Sequence, residues 1–230
     1  MGSERKGRRE AVIALLVAAP APTVGALFAF FLAPGAIGNA VYVAGKIVLY
    51  GTPAAWRMLV ERRRPSFAGC TAREALLGLA VGLAMAGGIL ALGLALGDLL
   101  VDPERLREAA EAAGLATPAR FLLLAAWLSF GNALLEEFAF RWFMTERLET
   151  LLPRGAAVAS AGVFATHHLV VLLAYAPVAA AILGTLAVFA AGLAWTWLYR
   201  RSRSVVPAWI AHILADLAIF ALGYRLLFMS

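Results

Sequence analysis

Seven apolar runs, each near the length of a membrane span, leave this chain few folds to choose from. They are Ala11–Ala33, Ala36–Val60, Glu74–Gly97, Phe121–Met144, Gly155–Leu173, Val178–Tyr199 and Val205–Phe220. About 20 apolar residues cross the hydrocarbon core as a helix, and in lipid the backbone must satisfy its own hydrogen bonds. The expected fold is all-α, a polytopic membrane bundle of about seven transmembrane helices, six to eight. Composition agrees, because 63% of the 230 residues are hydrophobic, well above the roughly 45–50% of a soluble domain. The second run is the weakest, with Lys46 and Arg57 inside it and Pro53 expected to kink it. Arg57 is expected to snorkel towards the loop that follows. The basic start also resembles a signal peptide, but the first apolar run is longer than that reading needs.

The net charge is +6, yet the basic residues stand beside the apolar runs. That pattern orients membrane helices and argues against nucleic-acid binding. One side of the alternation collects Arg5, Lys6, Arg8 and Arg9, then Arg62, Arg63, Arg64 and Arg73, then Arg147 and Arg154, then Arg200, Arg201 and Arg203. The other side holds Arg105, Arg107, Arg120 and Arg225. The positive-inside rule therefore places the amino terminus in the cytoplasm. The expected location is the bacterial cytoplasmic (inner) membrane, with the lipid bilayer as a partner. Cys70 is the single cysteine, so neither an internal disulfide nor a cysteine metal cluster is available.

Between the third and fourth spans, Asp102-Pro103 opens a short amphipathic helix with Asp102 as its cap, and Gly114 ends it. Thr145–Arg154 reads as a short polar connection. Trp195, Trp197 and Tyr199 read as an interfacial aromatic belt. Gly78/Gly82 and Gly93/Gly97 stand at the four-residue spacing that lets helices approach closely.

Against this apolar background the ionisable residues inside the spans stand out. An ionised side chain at the bilayer centre costs at least about 2.5–3.5 kcal/mol, so such residues are functional candidates once partners are named. Glu137 and Arg141 are four apart and share a helical face. Glu136 is turned about 100° away and points elsewhere. His168 follows Phe164 by one turn, and His167, on a neighbouring face, reads as a core residue. His212 and Asp216 again share a face. That pair can bind a metal, orient a base, or hydrogen-bond. Glu136, His168 and His212 lie at comparable depths, so they can meet in a cavity in the cytoplasmic half.

Three motifs, Glu136-Glu137-x-x-x-Arg141, Phe164-x-x-x-His168 and His212-x-x-x-Asp216, resemble those of the CPBP intramembrane proteases. That group holds the type II CaaX prenyl endopeptidases and the bacterial Abi proteins. The resemblance implies a core over 121–223, preceded by transmembrane helices and an amphipathic loop over 1–120, together one integrated membrane domain. It implies peptide-bond hydrolysis within the membrane. Glu136 would activate water with help from His168. His212 and Asp216 would orient the scissile carbonyl and stabilise the oxyanion, or complete a metal site. Glu137 and Arg141 would be structural support. The sequence does not require a metal. If zinc binds, its ligands would come from Glu136, His168, His212 and Asp216. Asp216 departs from the asparagine usual in the prenyl endopeptidases, and an aspartate donates a hydrogen bond only when protonated.

The implied partner is a peptide or membrane-protein substrate: a bacteriocin-like peptide, a regulatory membrane protein or a carboxy-terminal sorting tail. Rival readings are a proton-coupled transporter, which calls for paired halves with broken helices, and a non-catalytic scaffold or immunity protein. Neither H-E-x-x-H nor G-x-S-x-G occurs, which disfavours zincin and serine-protease chemistry.

Overall fold

In this computed structural model residues 2–62, 69–101 and 103–229 are described, with side chains from Arg5 onward except at 98–100. Every regular element among them is helical. The chain runs α1 (Gly2–Ala18), α2 (Ala21–Leu27), α3 (Ala36–Leu59), α4 (Ala72–Leu100), α5 (Pro103–Ala112), α6 (Pro118–Ala126), α7 (Ala133–Glu136), α8 (Glu146–Leu151), α9 (Ala156–Tyr175), α10 (Val178–Ser202) and α11 (Val206–Phe228). Wider π-helical turns link several of them, at Phe28–Leu32, Trp127–Asn132 and Glu137–Thr145. Asp102, the expected cap of α5, and Arg63 and Arg64 of the basic loop lie outside the described residues. Gly114 ends α5 at φ +71, a left-handed conformation that glycine adopts without steric penalty.

Six helical stretches among the described residues are long and apolar enough to cross a membrane: Arg5–Leu32, Ala72–Gly97, Pro118–Leu151, Ala156–Tyr175, Val178–Ser202 and Val206–Phe228. This is an integral membrane protein built as a polytopic helical bundle. The seventh expected span forms as the continuous helix α3, but its charged and polar residues keep it below the hydropathy of the other six. The first span is broken where Pro20 interrupts it, between α1 and α2. Leu76, Leu83 and Leu92 on α4 and Val178, Leu183 and Leu186 on α10 are exposed. An apolar surface of that extent fits lipid better than water.

Two sequence expectations need correction. The stretch expected to be a polar connection, Thr145–Arg154, is helical to Leu151, and Thr145 and Arg147 are buried. Their polar groups are satisfied inside the protein. Thr145 Oγ1 donates to the Phe140 carbonyl at 2.8 Å, while Arg147 donates to the Phe143 carbonyl and pairs with Glu61. The aromatic belt reduces to Trp197, because Trp195 and Tyr199 are buried. Tyr199 donates to Glu146 at 2.7 Å. Arg57 pairs with the same Glu61, at the start of the loop.

The core gathers around the π-helical stretch Glu137–Thr145, where Phe140, Phe143 and Met144 pack with Leu49, Phe164 and Leu198. Helix α4 starts with a capping box, in which Thr71 accepts from the Glu74 amide and Glu74 accepts from the Thr71 amide. It then lies closely along α11. A Cβ on Gly78 would collide with the Pro207 carbonyl, and one on Gly82 would stand 2.8 Å from Ala211 Cα. The pair at 78 and 82 is thus a true contact, whereas Gly97 faces open space. Gly78→Val is expected to destabilise the protein by about 1–3 kcal/mol through overpacking against backbone. Gly87→Val, at a position with nothing within 4 Å, is the matched control. Thermal unfolding in detergent reads the difference, and equal midpoints for the two variants would contradict it.

Candidate active site

Glu136 ends the short helix α7, between two π-helical segments. Its side chain is almost wholly buried, as are those of Glu137, Arg141 and His212. Buried charges persist in proteins only when paired and hydrogen-bonded, and each of these has a partner. Arg141 Nε donates to Glu137 Oε2 at 3.1 Å, the one-turn pair expected from spacing. The guanidinium also lies over the Phe164 ring, 4.7 Å from its centroid. Cation–π attraction of this kind grows when both partners are desolvated.

The two adjacent glutamates do not diverge as a simple helical wheel suggests. Both reach His212 of α11, on opposite edges of its ring. Glu137 Oε1 lies 2.9 Å from Nδ1, and Glu136 Oε2 lies 3.9 Å from Nε2. A carboxylate at hydrogen-bond distance only accepts, so Nδ1 carries a proton towards Glu137. Glu137 therefore orients His212 as well as answering Arg141. One turn further along α11, Asp216 Oδ1 stands 3.6 Å from the same Nε2. Trp195 stacks on the His212 ring, with centroids 3.9 Å apart and planes inclined by 16°.

His168 approaches from α9. Its Nδ1 lies 2.9 Å from the Phe164 carbonyl, so that nitrogen donates and Nε2 is left as an acceptor. Phe164 sits between the two imidazoles, 4.5 Å from the His168 ring and 6.1 Å from the His212 ring. His168 is within electrostatic reach of Glu136 without hydrogen-bonding to it. His167 packs face to face on Phe140, as a core residue would. The structure thus brings Glu136 and Asp216 to His212, with His168 on the far side of Phe164.

Sequence reasoning missed a contribution from α3. Lys46 Nζ lies 3.2 Å from Glu136 Oε1, and Tyr50 and Asn132 complete its surroundings. The signal was present, since a lysine inside the weakest span is itself an intramembrane charge needing a partner.

The zinc set fits poorly. Among the described residues no group of three or more His, Cys, Asp or Glu side chains is arranged to hold a metal ion. His212 Nδ1 is committed to Glu137, and an ammonium stands against the carboxylate that would be a ligand.

No curated protein and no solved structure gives a significant match to the chain. A family comparison does. Residues 118–218, which carry all three motifs and end just past Asp216, match the family described as type II CAAX prenyl endopeptidase Rce1-like, the group that the motifs resemble.

Proposed function

We propose that this chain is an intramembrane endopeptidase that hydrolyses a peptide bond of a membrane-associated or carboxy-terminal-tail substrate, with Glu136 as general base. The observation that carries the reading is the gap at His212 Nε2. Glu136 Oε2 at 3.9 Å and Asp216 Oδ1 at 3.6 Å are both too far for direct hydrogen bonds, which run to about 3.2 Å. Polar groups separated in this way are commonly bridged by water. The family match supports a protease of the CAAX type in general.

The chemistry follows from the placement. Water loses a proton to Oε2 of Glu136 while its oxygen bonds to the scissile carbonyl carbon. His168 Nε2, left free as an acceptor, helps hold that water. The oxyanion meets a donor from His212 in its imidazolium form, balanced by Glu137 at 2.9 Å, or from protonated Asp216. When the C–N bond breaks, the proton held by Glu136 passes to the departing amine. The matched family's name adds prenylated CaaX tails to the candidate substrates, beside bacteriocin-like peptides, regulatory membrane proteins and sorting tails. We assign the amino terminus to the cytoplasmic side of a bacterial inner membrane, on the distribution of arginines.

The test is cleavage of a panel of quenched peptides, prenylated and unprenylated, by the purified chain in liposomes. Asp216→Asn keeps a side-chain donor and is expected to retain activity within about tenfold, while Asp216→Ala loses about 10²–10³-fold, as when an oxyanion donor is removed. Full activity in Asp216→Ala would remove Asp216 from the mechanism.

A further inference from the structure

The strongest unassigned feature is the polar cluster that α3 carries into the site. Lys46 lies outside residues 118–218, so the family match says nothing of it. An ammonium has three donors, and three oxygens surround this one: Tyr50 Oη at 3.0 Å, Glu136 Oε1 at 3.2 Å and Asn132 Oδ1 at 3.4 Å. Tyr50 in turn donates to Asn132 Oδ1 at 2.6 Å. Tyr42 and Tyr50 flank the ammonium, with ring centroids at 5.7 and 5.3 Å. The cluster is selective between the two oxygens of Glu136. Lys46 and Tyr50 both approach Oε1, while Oε2 is the oxygen nearest His212 Nε2.

We infer that Lys46 is a positioning residue, which with Tyr50 and Asn132 fixes Oε1 of Glu136 as a carboxylate and leaves Oε2 to meet water. The inference rests on Glu136 being the base. The remaining titratable groups around Glu136 are Glu137 beside it, His167 and His168 from α9, and His212 and Asp216 from α11. None of these is a cation in contact with Oε1, whereas the Lys46 ammonium lies 3.2 Å from it. A carboxylate stripped of that charge in a low-dielectric site takes up a proton, since burial penalises the ionised form. A protonated Glu136 is no longer a base.

The experiment uses the full chain in phosphatidylcholine liposomes and has two arms. The first is infrared difference spectroscopy at neutral pH, with no substrate. Lys46→Met is expected to gain, over the wild type, a protonated carboxyl band that Lys46→Met/Glu136→Gln does not gain. Absence of that band in Lys46→Met overturns the inference. The second arm measures cleavage of an internally quenched prenylated peptide ending in a CaaX sequence. Lys46→Met is expected to lose about 10²-fold in kcat, the scale of a misplaced catalytic group, with KM nearly unchanged. Lys46→Arg is expected to recover most of the loss, and Tyr50→Phe to lose less than Lys46→Met. A KM effect without a kcat effect in Lys46→Met would also overturn the positioning role. The two readings fail separately. Wild-type cleavage by Glu136→Gln sinks the general-base mechanism while leaving the infrared result standing, whereas a missing band sinks Lys46 alone.

Discussion

Glu136→Gln is expected to lower kcat for peptide cleavage by about 10²–10⁴-fold, the usual contribution of a general base, while the bundle stays folded. Glutamine is the informative replacement because it keeps an oxygen facing Lys46 and Tyr50, both of which approach Oε1. What it removes is the proton acceptor at Oε2, the oxygen 3.9 Å from His212 Nε2. Cleavage by purified wild-type and variant protein, with circular dichroism as the fold control, checks the outcome. Activity within threefold of wild type would remove Glu136 from the chemistry. Loss of activity together with loss of helicity would assign it a structural role instead.

The largest stability effect is expected at Arg141. Its side chain and that of Glu137 are fully buried and 3.1 Å apart. Breaking a buried pair by removing one partner typically costs about 3–5 kcal/mol, because the other charge is left uncompensated. Arg141→Met should fall in that range. It also removes the cation held over Phe164 and near Trp195. Arg141→Met/Glu137→Gln should recover part of the loss, since the orphaned charge is gone and glutamine still accepts from His212 Nδ1. Thermal or denaturant unfolding in detergent measures both. A double variant less stable than Arg141→Met alone would show that the pair is not what the guanidinium contributes.

What was legible in the sequence was what a single helix determines. Glu137 with Arg141, and His212 with Asp216, follow from one turn of a helix, and the structure joins the first pair at 3.1 Å and brings the second to 3.6 Å. The apolar runs gave the helical bundle for the same reason. Contacts between helices were out of reach. No spacing rule joins Lys46 to Glu136 across 90 residues, or Glu137 to His212 across 75. The polar stretch after Met144 reads as a connection because composition alone does not reveal that Thr145 and Arg147 find acceptors in the turn before them. Trp195 is concealed by a similar cause. A tryptophan near the end of an apolar run looks interfacial, and only its neighbour on α11 reveals it as a ring stacked on an imidazole.

The π-helical turns on either side of Glu136 have a consequence for how this span tolerates change. An α-helix turns about 100° per residue, and each wide turn, closing from i to i+5, holds one residue more than an α turn. The rod is thereby divided into lengths whose angular phases differ. Ahead of Glu136 one phase applies, and beyond Thr145 another turns Arg147 and Leu148 inward, where Arg147 pairs with Glu61. The Phe140 carbonyl at the second wide turn is instead met by two hydroxyls, from Thr145 and Ser160. The span therefore carries its own length standard. Deleting one residue between 138 and 144 would tighten the turn into regular α-helix and swing everything after it out of register, although hydropathy would hardly change.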